Sequence, residues 1–293
     1  MKVVITGITG LIGSAVKDLL EAEGHEVLGV SRRSGEGLVQ WDLDARQIDA
    51  AALEGADAVV HLAGETIAGR WTDSKKRRIR ESRTVSTDLL ATTIAGLDSP
   101  PKVFVSGSAV GFYGDCGDRV VDESAPVGDG FLAQLCVDWE AAADPARAAG
   151  IRVVHPRTGI VLDPGGGAMK PLILATKLFV GGKLGSGRQM WSWISLRDEA
   201  RAIVHLIHSE LEGPVNLTSP NAASQYEIAK ELASQLGRPS FVPTPRFALE
   251  LLMGQMAEEL IFQSCAASPS VLLGDGFVFG EPDLASGIAS ALD

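Results

Sequence analysis

Three glycines at three-residue steps, Gly7, Gly10 and Gly13 in TGITGLIG, directly follow the apolar run Val3-Val4-Ile5. That spacing, where a strand hands over to a helix, brings bare backbone and the positive end of a helix dipole against phosphate groups. Gly7 takes the tight turn, Gly10 leaves room for a diphosphate at the main chain, and Gly13 lets the helix pack closely on the strand. Thr6, Thr9 and Ser14 add hydroxyls, and Leu11 and Ile12 offer the first helical amides. The second apolar run ends in VLGVSRRSG. An acidic residue there would hold the ribose 2′-hydroxyl of NAD. Ser31, Arg32 and Arg33 instead present a hydroxyl and two fixed cations, which suit the 2′-phosphate of NADP. The competing reading is a solvated basic turn. Asp42 is placed beside the adenine, and Leu62, Ala63 and Gly64 form a small-residue edge over which the dinucleotide lies.

These residues need a frame, and the first half of the chain supplies one. Apolar runs at Val3-Ile5, Glu26-Val30, Leu38-Trp41, Ala58-Leu62, Val103-Val105 and Ile151-Val154 alternate with helical patterns at Leu11-Glu23, Asp73-Leu97 and Phe131-Ala149. Continuous β-branched strands alternating with helices predict an α/β fold, a doubly wound, Rossmann-like parallel sheet covered on both faces. The second half is less regular. It predicts helices at Met169-Phe179, Leu196-Ser209, Ser224-Leu236 and Phe247-Leu260, and a returning strand at Pro214-Leu217. The expected division is a nucleotide-binding domain over 1–160, joined again by 189–219, and a smaller α+β lobe over 161–293.

The net charge of −11 argues against a nucleic-acid or anionic-membrane surface. No apolar stretch reaches the roughly 18 residues of a membrane span. Three cysteines with no CxxC spacing suit a reducing compartment, and a core strand starting at Lys2 leaves no signal peptide, so a cytoplasmic protein is expected. His205, His208 and Glu210 lack a further ligand, so no metal is expected. SGSAVG is not GxSxG and has no acid–histidine pair, which argues against a serine hydrolase.

TGITGLIG, HLAG, SGSAVGFYG and the long helix that follows resemble the extended short-chain dehydrogenase/reductase superfamily. GETIAGRW, FLAQLCVDWE, PRTGIVLDPGGGAMK, GGKLGSGRQMWSWI and GFVFGEPDL are similar to an atypical branch, the NAD-dependent epimerase/dehydratase-like proteins that end in a small domain of unknown function. The resemblance covers nearly the whole chain. It implies a Tyr-x-x-x-Lys dyad on the helix after strand five, with tyrosine as general acid/base and lysine lowering its pKa. Anchored on Glu140, those positions fall at Leu132 and Cys136, so the dyad is missing. Ser108 matches the hydroxyl that orients a substrate carbonyl, and Ser106 is placed at the nicotinamide ribose. Tyr113 is the substitute proton donor, or a ring that packs the loop. Arg83 stands where relatives carry an asparagine facing the active site, and is read as a ligand for the cofactor diphosphate or an anionic substrate group. Arg157 is a cleft cation or an ion-pair partner. Gln189 and Trp193 are the expected substrate contacts, with interlobe packing the other reading of Trp193. Asp198 is read as a helix cap.

Together these imply NADP(H) as cofactor and an oxidoreductase or epimerase-like enzyme acting on a small carbonyl or hydroxyl compound. The alternative is an NADP(H)-binding regulator or redox sensor without turnover. Superfamily members pair through two long helices, here 73–97 and 131–149. The charge run along the first leaves monomer and homodimer both open.

Overall fold

The computed structural model describes residues 1–32, 35 and 37–292. Arg33, one of the two expected phosphate-binding cations, lies outside the described residues. Seven strands carry the architecture: β1 (Lys2–Thr6), β2 (Glu26–Ser31), β3 (Leu38–Asp42), β4 (Ala58–His61), β5 (Val103–Ser106), β6 (Arg152–Thr158) and β7 (Gly213–Leu217). They lie in the order β7-β6-β5-β4-β1-β2-β3 and are all parallel. The short strand Gln47–Ile48 runs antiparallel along the β3 edge. β1 pairs with both β2 and β4, through Val3 opposite Val27 and Ala58.

Both faces of the sheet are apolar because both are covered. Val3 and Ile5 pack toward α1 (Leu11–Ala22) and α4 (Leu196–His208), among Val16, Leu20, Ile203 and Leu206. Val4, Val59 and Phe104 point the other way, against Leu90, Ala91 and Ile94 of α2 (Asp73–Ala95). The helix expected over 131–149 is broken. It becomes α3 (Phe131–Ala141) and a separate turn of helix, Asp144–Ala148, whose Pro145 cannot donate to the preceding turn. The helix expected over 247–260 is Arg246–Met253; it stops at Gly254, which takes φ 61°, and a wide turn follows over Glu258–Phe262.

A smaller cluster joins Met169, Trp191, Trp193, Ile228, Leu232 and Ile288. Trp193 is fully buried there. A Cβ on Gly287, in the helix Leu284–Leu292, would stand 2.4 Å from its ring, so only glycine lets that helix lie on the indole. The C-terminal segment is tied back to α4 by Asp198, whose carboxylate accepts the backbone N–H groups of Gly280 (2.9 Å) and Glu281 (2.8 Å). Ser195, not Asp198, caps that helix.

Candidate functional site

The chain leaves β1 toward β2 on one side and returns at β4 on the other, which opens a crevice at the carboxyl ends of these strands. A cavity of about 260 Å³ occupies it. Its floor is the glycine turn. Gly7 has φ +70°, and a Cβ there would stand 2.9 Å from Ala63 N, so the turn and the β4 exit touch backbone to backbone. A Cβ on Gly13 would lie 2.3 Å from Gly7 O. Gly10 is the N-cap of α1, and among the described residues no side-chain cap accepts from that helix's first turn, which leaves the amides near Leu11 and Ile12 for an outside acceptor. Thr9 and Gly10 line the cavity. Thr6 does not serve it. Its hydroxyl is buried, bonded to His61 Nδ1 at 2.6 Å and accepting the N–H groups of Leu62 and Ala63 at 3.2 Å. His61 Nε2 meets Ser86 Oγ at 3.0 Å, and burial pushes this histidine down to about 3, so it is a neutral strut.

Ser31 and Arg32 line the far end of the cavity, with Leu62, Ala63 and Gly64 along one side. The adenine-side expectation needs correcting by one residue each way. Trp41 and Leu43 line the cavity, whereas Asp42 turns off and accepts Ala45 N at 2.9 Å. Alternation along β3 explains this: Trp41 is buried and Asp42 exposed. Trp41 Nε1 is buried without an acceptor among the described residues, a donor held in the wall of a site shaped for a nucleotide. The glycine cradle, the open helix amides, the arginine at the β2 end and this indole all fit a phosphorylated dinucleotide. Glu65 and Ser82 also line the cavity and escaped the sequence reading. Glu65 is held below the usual carboxylate range chiefly by Lys75, 2.8 Å away.

Beyond β4 and β5 the structure revises several roles. Tyr113 is not a donor into the cleft. It is buried, its hydroxyl donates to Asn216 Oδ1 at 2.7 Å and accepts from Arg157 Nη1 at 3.1 Å, and burial pushes it up to about 12. Arg157 is buried and grips Glu140 with Nε at 2.8 Å and Nη2 at 3.0 Å, so it is a structural ion-pair partner. Desolvation works against the Glu140 charge, but Arg157 wins and holds the carboxyl below its ordinary value. Ser108 Oγ donates to the same carboxylate at 2.7 Å. Gln189 is buried and donates to the carbonyls of Leu184 and Ile261, both at 3.1 Å, and Trp193 donates to Asn221 O at 2.8 Å. These two hold loops together and offer no substrate wall. Ser106 is buried at the β5 end, its hydroxyl without a partner among the described residues.

The dyad positions are filled differently. Leu132 packs with Trp71, Leu135 and Met256, and the amides of Phe131 and Leu132 donate to Glu259, at 3.1 and 2.8 Å. The Cys136 thiol donates to Ala109 O and is pushed up to about 12 by burial. Arg83 lies over the Trp139 ring at 5.0 Å and donates from Nη1 to Glu65 O (3.0 Å) and Ile79 O (3.2 Å).

A doubly wound sheet with a glycine-lined crevice at its switch point defines a dinucleotide-binding protein of the Rossmann class. The chain belongs to the NAD dependent epimerase/dehydratase family, whose model matches residues 3–218; a domain of unknown function, DUF1731, matches residues 244–291. An epimerase family protein of Mycobacterium bovis is 42% identical over 281 residues, covering 94% of this chain and 93% of its own. The crystal structure of human epimerase family protein SDR39U1 (isoform 2) with NADPH superposes with a TM-score of 0.91 at 34% identity over 100% of both chains. A nucleoside-diphosphate sugar epimerase from Corynebacterium glutamicum gives 0.82 at 36% identity, covering 100% of this chain and 58% of that one. Among the described residues no helix is long and apolar enough to cross a membrane.

Proposed function

We propose that this chain is an NADP(H)-dependent oxidoreductase or epimerase-like enzyme acting on a small carbonyl or hydroxyl compound. The observation that carries the reading is the cavity between a bare glycine turn and Arg32. Gly7, Gly10 and Gly13 would receive the diphosphate, and Ser31 and Arg32 the 2′-phosphate. When bound, the nicotinamide supplies hydride transfer. The structure of human SDR39U1 with NADPH supports the same choice of nucleotide.

The chain's own contribution beyond binding centres on Ser108. Its hydroxyl proton is committed to Glu140, and Arg157 fixes that carboxylate from its other side. Ser108 therefore presents oriented lone pairs at the β5 end, where a substrate hydroxyl can donate to it. Cys136, with its proton held by burial, takes no part in acid/base work.

Titration of NADPH and NADH by nucleotide fluorescence tests the reading. Arg32→Ala should weaken NADPH alone by about 10- to 150-fold, the worth of a charge-assisted contact of about 1.5–3 kcal/mol. Equal weakening of both nucleotides would remove the 2′-phosphate role. NADPH oxidation over a panel of carbonyl compounds then separates enzyme from regulator. The regulator reading has one specific support, the burial of Leu132 and Cys136 at the two dyad positions, and it stands if nucleotide binds but no compound is turned over.

A further inference from the structure

Cys116 and Cys265 are 149 residues apart in the chain, yet their Sγ atoms lie 4.0 Å from each other. Both are free thiols. The backbone around them fixes this approach. Cys116 N donates to Ser264 O at 2.7 Å. Ser264 N donates to Asp115 Oδ1 at 3.1 Å, and Ser264 Oγ to Gly117 O at 2.7 Å. Just beyond, Val120 and Val121 pair in parallel with Ala266 and Ala267. On its other side, Cys265 N donates to Met190 O at 2.9 Å, and Cys265 O accepts from Ser192 Oγ at 2.8 Å. Two remote segments are thus laced together around the two sulfurs, which holds the thiols face to face.

The pair is chemically asymmetric. The Cys265 thiol, and after it Arg119, holds Cys116 below the ordinary thiol range against its burial. Cys265 is pushed up, first by Cys116 and then by burial. Cys116 is therefore the readier nucleophile, and Cys265 keeps a proton to release later. Cys116 is 5% exposed and Cys265 is half-buried, which admits an oxidant of about water's size. Cys136 stands apart. It is buried against Ala109 O, and burial pushes its thiol up to about 12.

We propose that Cys116 and Cys265 form a redox site, which a hydroperoxide closes into an intramolecular disulfide. The Cys116 thiolate attacks one peroxide oxygen, the O–O bond breaks, and a sulfenic acid and hydroxide result. The Cys265 sulfur then attacks the Cys116 sulfur. The S–S bond forms, the S–O bond breaks, and the Cys265 proton leaves with the hydroxyl as water. In all, the two thiols give up two electrons and two protons, and the peroxide becomes two waters. The sulfurs must close by about 2 Å to reach bonding distance, a movement that side-chain rotation supplies. The consequence is mechanical. Cys116 lies in the loop that leaves β5, with its Sγ 3.6 Å from Tyr113 O, and Cys265 belongs to the C-terminal region. The bond clasps that region onto the loop, and a thiol reductant reopens it. This inference stands apart from the nucleotide reading.

The test is the full chain, reduced and then treated with hydrogen peroxide. Thiol titration after denaturation should fall from three free cysteines to one, and peptide mapping by mass spectrometry should find the Cys116 and Cys265 peptides joined. The closed form should melt about 4–16 °C above the reduced form, as expected for a cross-link over so long a loop, and dithiothreitol should reverse the shift. Cys116→Ser and Cys265→Ser should each lose the joined peptides and the shift, whereas Cys136→Ser should keep both. Circular dichroism checks that the reduced variants fold, and if a serine variant does not, the mapping of the parent decides alone. The proposal is overturned if the parent keeps three thiols, if the joined peptides contain Cys136, or if a non-reducing gel shows that they come from two chains. Accumulation of Cys116 sulfinic acid in place of the disulfide also overturns it, and a disulfide that leaves the melting point unmoved overturns the clasp.

Discussion

Gly10 and Gly13 sit three residues apart in one turn, yet alanine at each should do different things. At Gly13 a methyl carbon would lie 2.3 Å from Gly7 O, 2.8 Å from Gly7 C and 3.0 Å from Ile8 Cα. All three are backbone atoms, so nothing can swing aside, and α1 must retreat from β1 by about 1 Å to restore ordinary contact. Overpacking of this kind costs about 3 kcal/mol, the upper end of its usual range, and lowers the melting temperature by about 6–12 °C in a domain of this size. The displaced amides should lose NADPH as well. At Gly10 the backbone angles are φ −82° and ψ 172°, which any residue adopts, and a Cβ would meet only Gly7 O at 3.1 Å. Replacing a glycine cap with alanine costs about 1 kcal/mol or less, about 4 °C at most. The methyl group would, however, stand where the diphosphate must approach, so NADPH affinity should fall at least tenfold, or about 1.4 kcal/mol. Differential scanning fluorimetry and NADPH fluorescence titration separate the two effects. The reasoning fails if Gly10→Ala binds NADPH as tightly as the parent, or if Gly13→Ala melts with it.

Glu199 is fully buried, its Oε1 accepts from Thr158 at 2.7 Å, and burial pushes its carboxyl up to about 8 from 4.5. It stays protonated in the fold while the unfolded chain ionises, so its contribution is complete below pH 4.5 and is lost as pH rises through about 8. Denaturant titrations should show that decline, and Glu199→Gln should flatten it; an unchanged slope would refute the assignment. Tyr113→Phe should lower stability by about 1–3 kcal/mol, because Asn216 and Arg157 each lose a buried partner, while leaving turnover of any substrate found nearly intact. Loss of turnover without loss of stability would return Tyr113 to the reaction. Glu140→Gln uncouples a buried guanidinium and should cost about 3–5 kcal/mol in chemical denaturation, against a negligible change if water replaces the carboxylate.

The glycine-lined cavity was legible in the chain because it is local. A strand, three glycines and a helix start lie between Lys2 and Gly13, and the close contacts of the turn are backbone to backbone. Alternating β-branched runs likewise defined the sheet, since parallel strands buried on both faces must be apolar throughout. Asp42 was misplaced because a side chain's face depends on strand register, which one residue of error inverts. Gln189 reads as a substrate contact, and Trp193, Arg157 and Tyr113 each read either as cleft residues or as packing and ion-pair partners, because polar and aromatic types beside glycine loops look alike whether they face a ligand or another loop. What decides between them is the partner, and each partner is remote: Ile261 for Gln189, Gly287 for Trp193, Asn216 for Tyr113. The spacing of Glu140 and Arg157 carried no signal that they would meet in a bidentate pair.

The missing dyad and the C-terminal region belong to one structural argument. In α3, Leu132 packs against Met256 and the helix's first amides are held by Glu259, both from the region after residue 244. The same region reaches back to the loop before α2, where Gly69 N donates to Met256 Sδ and Arg70 Nη1 to Leu251 O at 3.0 Å. A tyrosine at 132 would have to expel this apolar seal, and a lysine at 136 would bring a charge to a position only 2% exposed. The helix that carries proton chemistry in the wider superfamily is here a docking face for the C-terminal region. Ser108 Oγ, whose proton is given to Glu140 at 2.7 Å, can accept a hydrogen bond but has no free proton to donate.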